Sequence, residues 1–234
     1  ESESRGLGDV YKRQVLENKA DAGFAIDPDA DRLALVNEKG IPLGEEYTLV
    51  VAAEGYLNEG GKPEKFVVNL STSIAIEKLA ESKGSSVERS SVGEINVVNK
   101  MNEIGSNFGG EGNGGVILRD CHLGRDSLVG ATMILNRMSQ TDQTLSQIHS
   151  ALPQYKIVKD KINLKGIKPD KIIKVVSEEF KDPEKNTLDG VKFIWKDKWV
   201  HFRKSNTEPI MRIYAEAPDQ KQAQDLVNKV KEII

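Results

Sequence analysis

The stretch "EEYTLVVAAEGYLNEGGKPEKFVVNLSTS", residues 45–73, decides the fold class. Its first part, "EEYTLVVAAEGYL", is an apolar run of helical length. "KFVVNL" is a short apolar run that reads as a strand. "STS" then opens a second helix, because a hydroxyl can accept from the free N–H groups of its first turn. Helix, strand and helix in this order predict an α/β domain.

Working outward, residues 22 to 36 read as a strand "AGFAI", an acidic loop, and a second strand "LALVN" that ends at the turn "EKG". Further on, "SNFGGEGNGGVIL" places a glycine-rich loop before a strand. "DSLVGATMILNRM" then reads as a helix with Asp126 at its N-cap. The helical pattern stops at Pro153 in "SALPQY", and a different order begins. It runs as a strand (155–164), a helix (170–181), a hairpin on "VKFIWKDKWVHF", a loop "RKSNTEP", a strand "IMRIYAEA" and a last helix. Asp219 and Gln222 form a capping box at the start of that helix, whose Ala223, Leu226, Val227, Val230 and Ile233 share one face. Strands backed by helices on one face make an α+β unit. The predicted divisions are 1–14, a leader outside the fold that fits neither helix nor strand; 15–43; 44–152, the α/β domain with a mixed sheet; and 153–234, the α+β domain.

The chain has 234 residues and is 38% hydrophobic, enough for one large or two modest cores. A net charge of −3, from 33 basic and 36 acidic side chains spread along the chain, gives no field for nucleic acid or an anionic membrane. A small-molecule ligand is the better expectation. Apolar runs such as "LVGATMIL" fall far short of the ~20 residues of a membrane span, and the opening segment has no apolar core of a secretory signal. Cys121 is the one cysteine. It reads as a small buried apolar residue in a reducing cytosol, so the expected location is cytoplasmic.

Three stretches carry chemistry. In "DPDADR", Asp27, Asp29 and Asp31 crowd three like charges beside Arg32, and anions held this close repel unless a cation neutralises them. Oxygen-only ligation suits Mg²⁺ or Ca²⁺. With Glu38 they match positions 1, 3, 5 and 12 of an EF-hand loop, but position 6 is Arg32 where Gly is needed and the flanks read as strands. A solvated acidic turn is the plainer alternative. "GGEGNGG", residues 109–115, allows close backbone approach to a ligand. Its Glu111 and Asn113 suit sugar hydroxyls, although a flexible turn explains glycines alone equally well. "RKSNTEPIMR" gathers Arg203, Ser205, Asn206, Thr207 and Arg212, the donor types a phosphate needs, where an ordinary polar loop is the alternative. His149 and His201 read as packing or surface residues, and His122 as lying at the edge of a site.

Taken in this order, the three stretches resemble the alpha-D-phosphohexomutase family of phosphoglucomutases, phosphomannomutases and phosphoglucosamine mutases. The resemblance covers the chain after residue 14 and matches the later part of a four-domain protein. It implies that residues 15–43 are the end of a second α/β domain, 44–152 a complete third, and 153–234 the fourth. It further implies that Asp27, Asp29 and Asp31 hold Mg²⁺, and that Arg32 lies beside the reacting phosphoryl group. Glu111 and Asn113, the latter in place of a common Ser, would grip the sugar, and Arg203, Ser205, Asn206, Thr207 and Arg212 would clamp the non-reacting phosphate. The implied partners are a hexose phosphate, a hexose bisphosphate intermediate and the N-terminal domains of the same enzyme. Without their phosphoserine the chain alone is expected to be inactive. "VGEINV", residues 92–97, lacks the basic residue that many members use to sense the sugar, and the wording of the motifs leans toward phosphoglucosamine mutase. The alternative is a stand-alone sugar-phosphate or calcium-binding module.

Overall fold

The computed structural model describes residues 2–59, 64–164, 166, 168–205 and 208–233, with side chains from residue 10 onward. The chain forms two compact units, Glu1–Pro153 and Gln154–Ile234.

The first unit opens with helix α1 (Ser2–Asn18), which corrects the expectation that residues 1–14 form no regular element. The segment escapes a periodicity reading because its apolar residues trace no continuous helical stripe. Val15 is buried, and it packs so close to the backbone that a Cβ on Gly23 would lie 2.6 Å from its methyl. Strands β1 (Ala22–Ile26) and β2 (Leu33–Asn37) pair antiparallel, Ile26 opposite Leu33, so the acidic loop is the tip of a hairpin.

Helix α2 (Glu45–Asn58), strand β3 (Lys65–Asn69) and helix α3 (Ala75–Ser82) follow as the opening stretch predicts, and Ser73 Oγ accepts from Ala75 N–H at 3.1 Å. Next come β4 (Ser86–Ser90), α4 (Glu94–Ile104), β5 (Phe108–Glu111), β6 (Gly115–Leu118), α5 (Ser127–Ser139) and α6 (Leu145–Ala151). The sheet runs β4-β3-β5-β6, with β3 parallel to β4 and β5 and β6 antiparallel to β5, which makes it mixed. The centre of β3, Phe66–Val68, is apolar because both faces are covered. Phe66 meets the Tyr56 ring of α2 at 6.0 Å, whereas Val67 packs with Val97 and Met101 of α4. The expected glycine loop is therefore a hairpin whose first arm, Phe108–Glu111, is itself a buried strand. Asp126 caps α5 as predicted, accepting from Leu128 N–H at 2.7 Å and Val129 N–H at 3.1 Å.

The second unit is a five-stranded antiparallel sheet in the order β7 (Lys156–Asn163), β11 (Ile210–Ala217), β10 (Trp199–Lys204), β9 (Val191–Ile194), β8 (Glu184–Asn186). Helices α7 (Pro169–Glu179) and α8 (Gln220–Ile233) lie on one face. Ile172 and Val176 of α7 and Leu226, Val227 and Val230 of α8 share a core with Phe193, Phe202, Ile213 and Ala215. Pro169 sits in the first turn of α7, where its missing N–H costs nothing. Asp219 caps α8 through Gln222 N–H at 2.9 Å, and the Gln222 side chain returns to the Asp219 carboxylate at 2.6 Å. The predicted α/β class with a mixed sheet and a C-terminal α+β unit is what the structure shows.

Candidate active site

The three aspartates of the acidic loop come together at the hairpin tip. Among the described residues, Asp27, Asp29 and Asp31 are the one group of potential metal ligands, each offering an oxygen within 4.8 Å of the others. The tip is folded by Asp27: its Oδ1 accepts from Asp31 N–H at 3.2 Å and Arg32 N–H at 3.0 Å, and its Oδ2 from Arg32 Nε at 2.5 Å. Burial opposes ionisation of Asp27, but these Arg32 contacts outweigh it and hold the carboxyl at about 2. Asp31 goes the other way: burial raises its pKa, Arg125 partly counters this, and the neighbouring Asp27 charge adds to it. Ala30 adopts a left-handed φ of 59°, uncommon for a residue with a Cβ, and this lets its carbonyl accept from Ser127 N–H at 3.2 Å and Oγ at 2.8 Å. The acidic tip is thereby fastened to the start of α5.

Asp31 Oδ1 is buried without a hydrogen-bond donor among the described residues, with Arg32 Nε 3.4 Å away as an ion-pair partner. A buried acceptor left unmade costs on the order of 1–3 kcal/mol, more for a charged group. A hard cation among the three carboxylates would remove that cost, so the donor set fits Mg²⁺. The calcium-loop reading does not fit: the flanks are strands, and Glu38 is committed to Ser146, through N–H at 3.1 Å and Oγ at 2.5 Å. Arg32 folds its half-exposed guanidinium back over Asp27 and Asp31.

Glu111 ends β5 and is buried, at 2% exposure. Its Oε1 accepts from Asn69 Nδ2 at 2.6 Å and Gly93 N–H at 2.9 Å, and its Oε2 from Arg125 Nη1 at 2.7 Å. Asn113 stands at the turn, its Oδ1 accepting from Gly115 N–H at 3.3 Å. Thr72 Oγ1 receives Gly112 N–H at 3.1 Å, and Leu33 N–H donates to Gly114 O at 3.0 Å, so the glycine turn touches both α3's approach and the acidic hairpin. Gly114 must be glycine: φ is 91°, and a Cβ would collide with Leu33 O.

Arg125 is a site residue that none of the three sequence motifs contains. Its guanidinium reaches Asp31, Glu94 Oε2 at 3.1 Å and Glu111 Oε2 at 2.7 Å. The one signal of it in the sequence is its place one residue before the N-cap of a recognisable helix. Gly93 and Glu94 also lie at the site, since the stretch 92–97 is a turn followed by the first turn of α4. His122 Nε2 pairs with Asp126 Oδ2 at 3.0 Å beside the α5 N-terminus. Cys121 is exposed, which corrects the expectation of burial; it lies in the irregular stretch between β6 and α5.

In the second unit Arg203 of β10 stands directly opposite Arg212 of β11. Arg203 Nε is buried with no hydrogen-bond partner among the described residues. Ser205 is buried, its N–H donating to Ile210 O at 3.0 Å and its Oγ accepting from Glu208 N–H at 3.3 Å. Among the described residues Arg212 makes only long contacts, 3.4 Å to Tyr214 Oη and 3.4 Å to Glu208 Oε2. Asn206 and Thr207 lie outside the described residues. No described helix is long and apolar enough to cross a membrane.

Comparison with known proteins agrees with this architecture. Residues 44–155 match the phosphoglucomutase/phosphomannomutase alpha/beta/alpha domain III, and residues 161–233 match the C-terminal domain of the same proteins. The chain belongs to the phosphoglucomutase/phosphomannomutase family. It is 31% identical to a probable phosphoglucosamine mutase of Methanopyrus kandleri over 95% of this chain and 49% of that protein. A phosphoglucomutase/phosphomannomutase family protein of Burkholderia thailandensis superposes with a TM-score of 0.83 at 23% identity, covering 98% of this chain and 49% of that one. An N-acetylphosphoglucosamine mutase of Aspergillus fumigatus, solved in complex with GlcNAc-6P and magnesium, matches 91% of this chain and 51% of its own, with a TM-score of 0.60 and 14% identity. The chain thus spans about half the length of the curated relatives it matches.

Proposed function

We propose that this chain is the later part of a Mg²⁺-dependent phosphohexomutase that interconverts hexose 1-phosphate and hexose 6-phosphate. In the net step a sugar hydroxyl oxygen bonds to the phosphorus of a phosphoserine as the Ser O–P bond breaks, and the hydroxyl proton ends on the serine oxygen. The bisphosphate then turns over in the cleft and returns its other phosphoryl group. Such chemistry is mostly placement and charge neutralisation.

Asp27, Asp29 and Asp31 would hold the metal, which when bound supplies positive charge to a phosphoryl oxygen in transfer. Arg32, half exposed beside them, offers donors to the same phosphoryl group. Glu111 has about four acceptor positions, of which three are filled, so one remains on Oε2 for a sugar hydroxyl, with Asn113 beside it. Arg203, Ser205, Asn206, Thr207 and Arg212 would take the non-reacting phosphate. The phosphoserine belongs to the part of such enzymes outside the matched half, so this chain by itself is read as inactive. Phosphoglucosamine is the favoured substrate class, in line with the relative from M. kandleri.

The observation that carries the proposal is Asp31 Oδ1, buried without a hydrogen-bond donor among the described residues, in the carboxylate trio. Joining the chain to the first domain and the earlier part of the second domain of a relative is expected to restore mutase activity. Asp29→Asn should then lower kcat at least a hundredfold, with partial rescue by raised Mg²⁺; unchanged activity in that variant would remove the metal role.

A further inference from the structure

Arg125 occupies a position that the three motifs do not explain. It lies outside the acidic loop, the glycine turn and the phosphate loop, yet its one guanidinium joins the first two. Its Nη2 donates to Asp31 Oδ2, its Nη1 to Glu111 Oε2 at 2.7 Å and its Nε to Glu94 Oε2 at 3.1 Å. The side chain is 17% exposed, so these contacts lie largely out of water. A planar guanidinium holds its five donors in one rigid fork and so fixes the directions and spacing of three carboxylates, whereas the rotatable ammonium of a lysine is a compact point charge that does not.

Two further details show a built seat. A Cβ on Gly115 would collide with Arg125 Cδ and fall 2.9 Å from Cγ, so the glycine that closes the "GGEGNGG" turn is the space through which the arginine stem passes. The two oxygens of Asp31 also differ: Oδ2 is tied to Arg125, while Oδ1 is buried with no hydrogen-bond donor among the described residues, Arg32 Nε standing 3.4 Å away, in a carboxylate trio whose oxygens lie within 4.8 Å of one another.

We propose that Arg125 is a positioning residue that fixes the acidic hairpin against the sugar turn, aiming Asp31 Oδ1 at the metal and setting the distance from metal to sugar. The inference rests on the metal and sugar roles proposed above. Partners of this kind behind a ligating carboxylate change metal affinity by about 10- to 100-fold. The sign separates positioning from charge. Five carboxylates (Asp27, Asp29, Asp31, Glu94, Glu111) meet two guanidiniums (Arg32, Arg125), so removing a cation would by charge alone tighten binding of a metal ion. Loss of aim weakens it.

The test uses this chain, with Mn²⁺ as a spectroscopic probe read by electron paramagnetic resonance, and amide hydrogen exchange without metal. Arg125→Gln is expected to weaken Mn²⁺ binding at least tenfold and to speed exchange in residues 27–32 and 110–115 together. Arg125→Lys should resemble Arg125→Gln, because the fork and not the charge is at work. Gly115→Ala, which keeps the arginine but fills its path, should reproduce both effects. Tighter or unchanged Mn²⁺ binding in Arg125→Gln would overturn the inference, as would exchange that rises in one segment alone or throughout the unit. If the unaltered chain binds no Mn²⁺, the metal reading fails on its own account, and joint or separate loosening of the two segments still decides whether Arg125 ties them.

Discussion

Arg203 and Arg212 are register partners on β10 and β11, two guanidinium side chains placed directly opposite each other on one face of the sheet. Like charges at such a position destabilise a sheet by a few tenths to about 1 kcal/mol. Neither is well compensated among the described residues, since Arg203 Nε is buried without a partner and Arg212 has only 3.4 Å contacts. An anion between them would turn the repulsion into two charge-assisted hydrogen bonds.

Arg212→Gln is therefore expected to stabilise the second unit by about 0.5 kcal/mol in the absence of anions, the sign opposite to that of most substitutions. Inorganic phosphate should raise the unfolding midpoint of the unaltered chain and leave that of the variant nearly unchanged. Both Trp195 and Trp199 lie in the second unit and are the two tryptophans of the chain, so their fluorescence in a urea titration reads this unit selectively. A variant that is destabilised and still responds to phosphate would contradict the pairing argument.

The regular elements with a clean apolar period are legible in the amino-acid sequence: α2 and β3, the hairpin of β9 and β10, and the face of α8. What stays hidden there does so for physical reasons. β4, "SVERS", has a charged pair where a strand is usually apolar, and it is a strand because β3 supplies its hydrogen bonds. α4 buries only Val97 and Met101, an i, i+4 pair too sparse to announce a helix. In the site, the three motifs announce themselves by crowding unusual residue types. Arg125, Glu94 and Asn69 do not, because each is a common polar residue whose meaning comes from partners far away in sequence. The exposure of Cys121 departs from expectation for the same reason, burial being a property of the fold around a residue.

His201 gives the second unit a dependence on acid. It is buried on β10, its Nε2 lies 2.6 Å from Asp189 O, and burial pushes its pKa down to about 4. The unfolded chain takes up the proton near the ordinary 6.5 while the folded unit does not, so stability is full above pH 6.5 and falls as pH drops toward 4. Each pH decade in this window is worth about 1.4 kcal/mol, which gives a loss of about 2 kcal/mol by pH 5 and about 3 by pH 4. The carboxylates with lowered pKa in this unit, Asp160 and Asp219, act below this window, since their ordinary value is 3.8. His201→Gln is expected to flatten the curve between pH 6.5 and pH 4, as measured by urea unfolding followed by tryptophan fluorescence. A variant curve as steep as the original would assign the acid sensitivity to other groups.

Arg137 and Glu54 test what holds the covering helices of the first unit together. Arg137 of α5 meets Glu54 of α2 through two bonds, Nε to Oε2 at 3.0 Å and Nη2 to Oε1 at 3.1 Å, with side chains only 6% and 13% exposed. One residue along, a Cβ on Gly55 would come within 2.9 Å of Met133 O, so the two helices pack backbone to backbone and the pair is shut away from solvent. A buried pair of this kind adds little over well-packed apolar groups, but breaking it strands a charge at a cost of about 3–5 kcal/mol. Arg137→Met should therefore destabilise the first unit by about that amount, while Glu54→Met combined with Arg137→Met should recover most of the loss. Chemical denaturation followed by backbone amide exchange in α2 and α5 measures both. If the double variant is as unstable as Arg137→Met alone, the pair itself carries net stability over apolar groups and the helices depend on it.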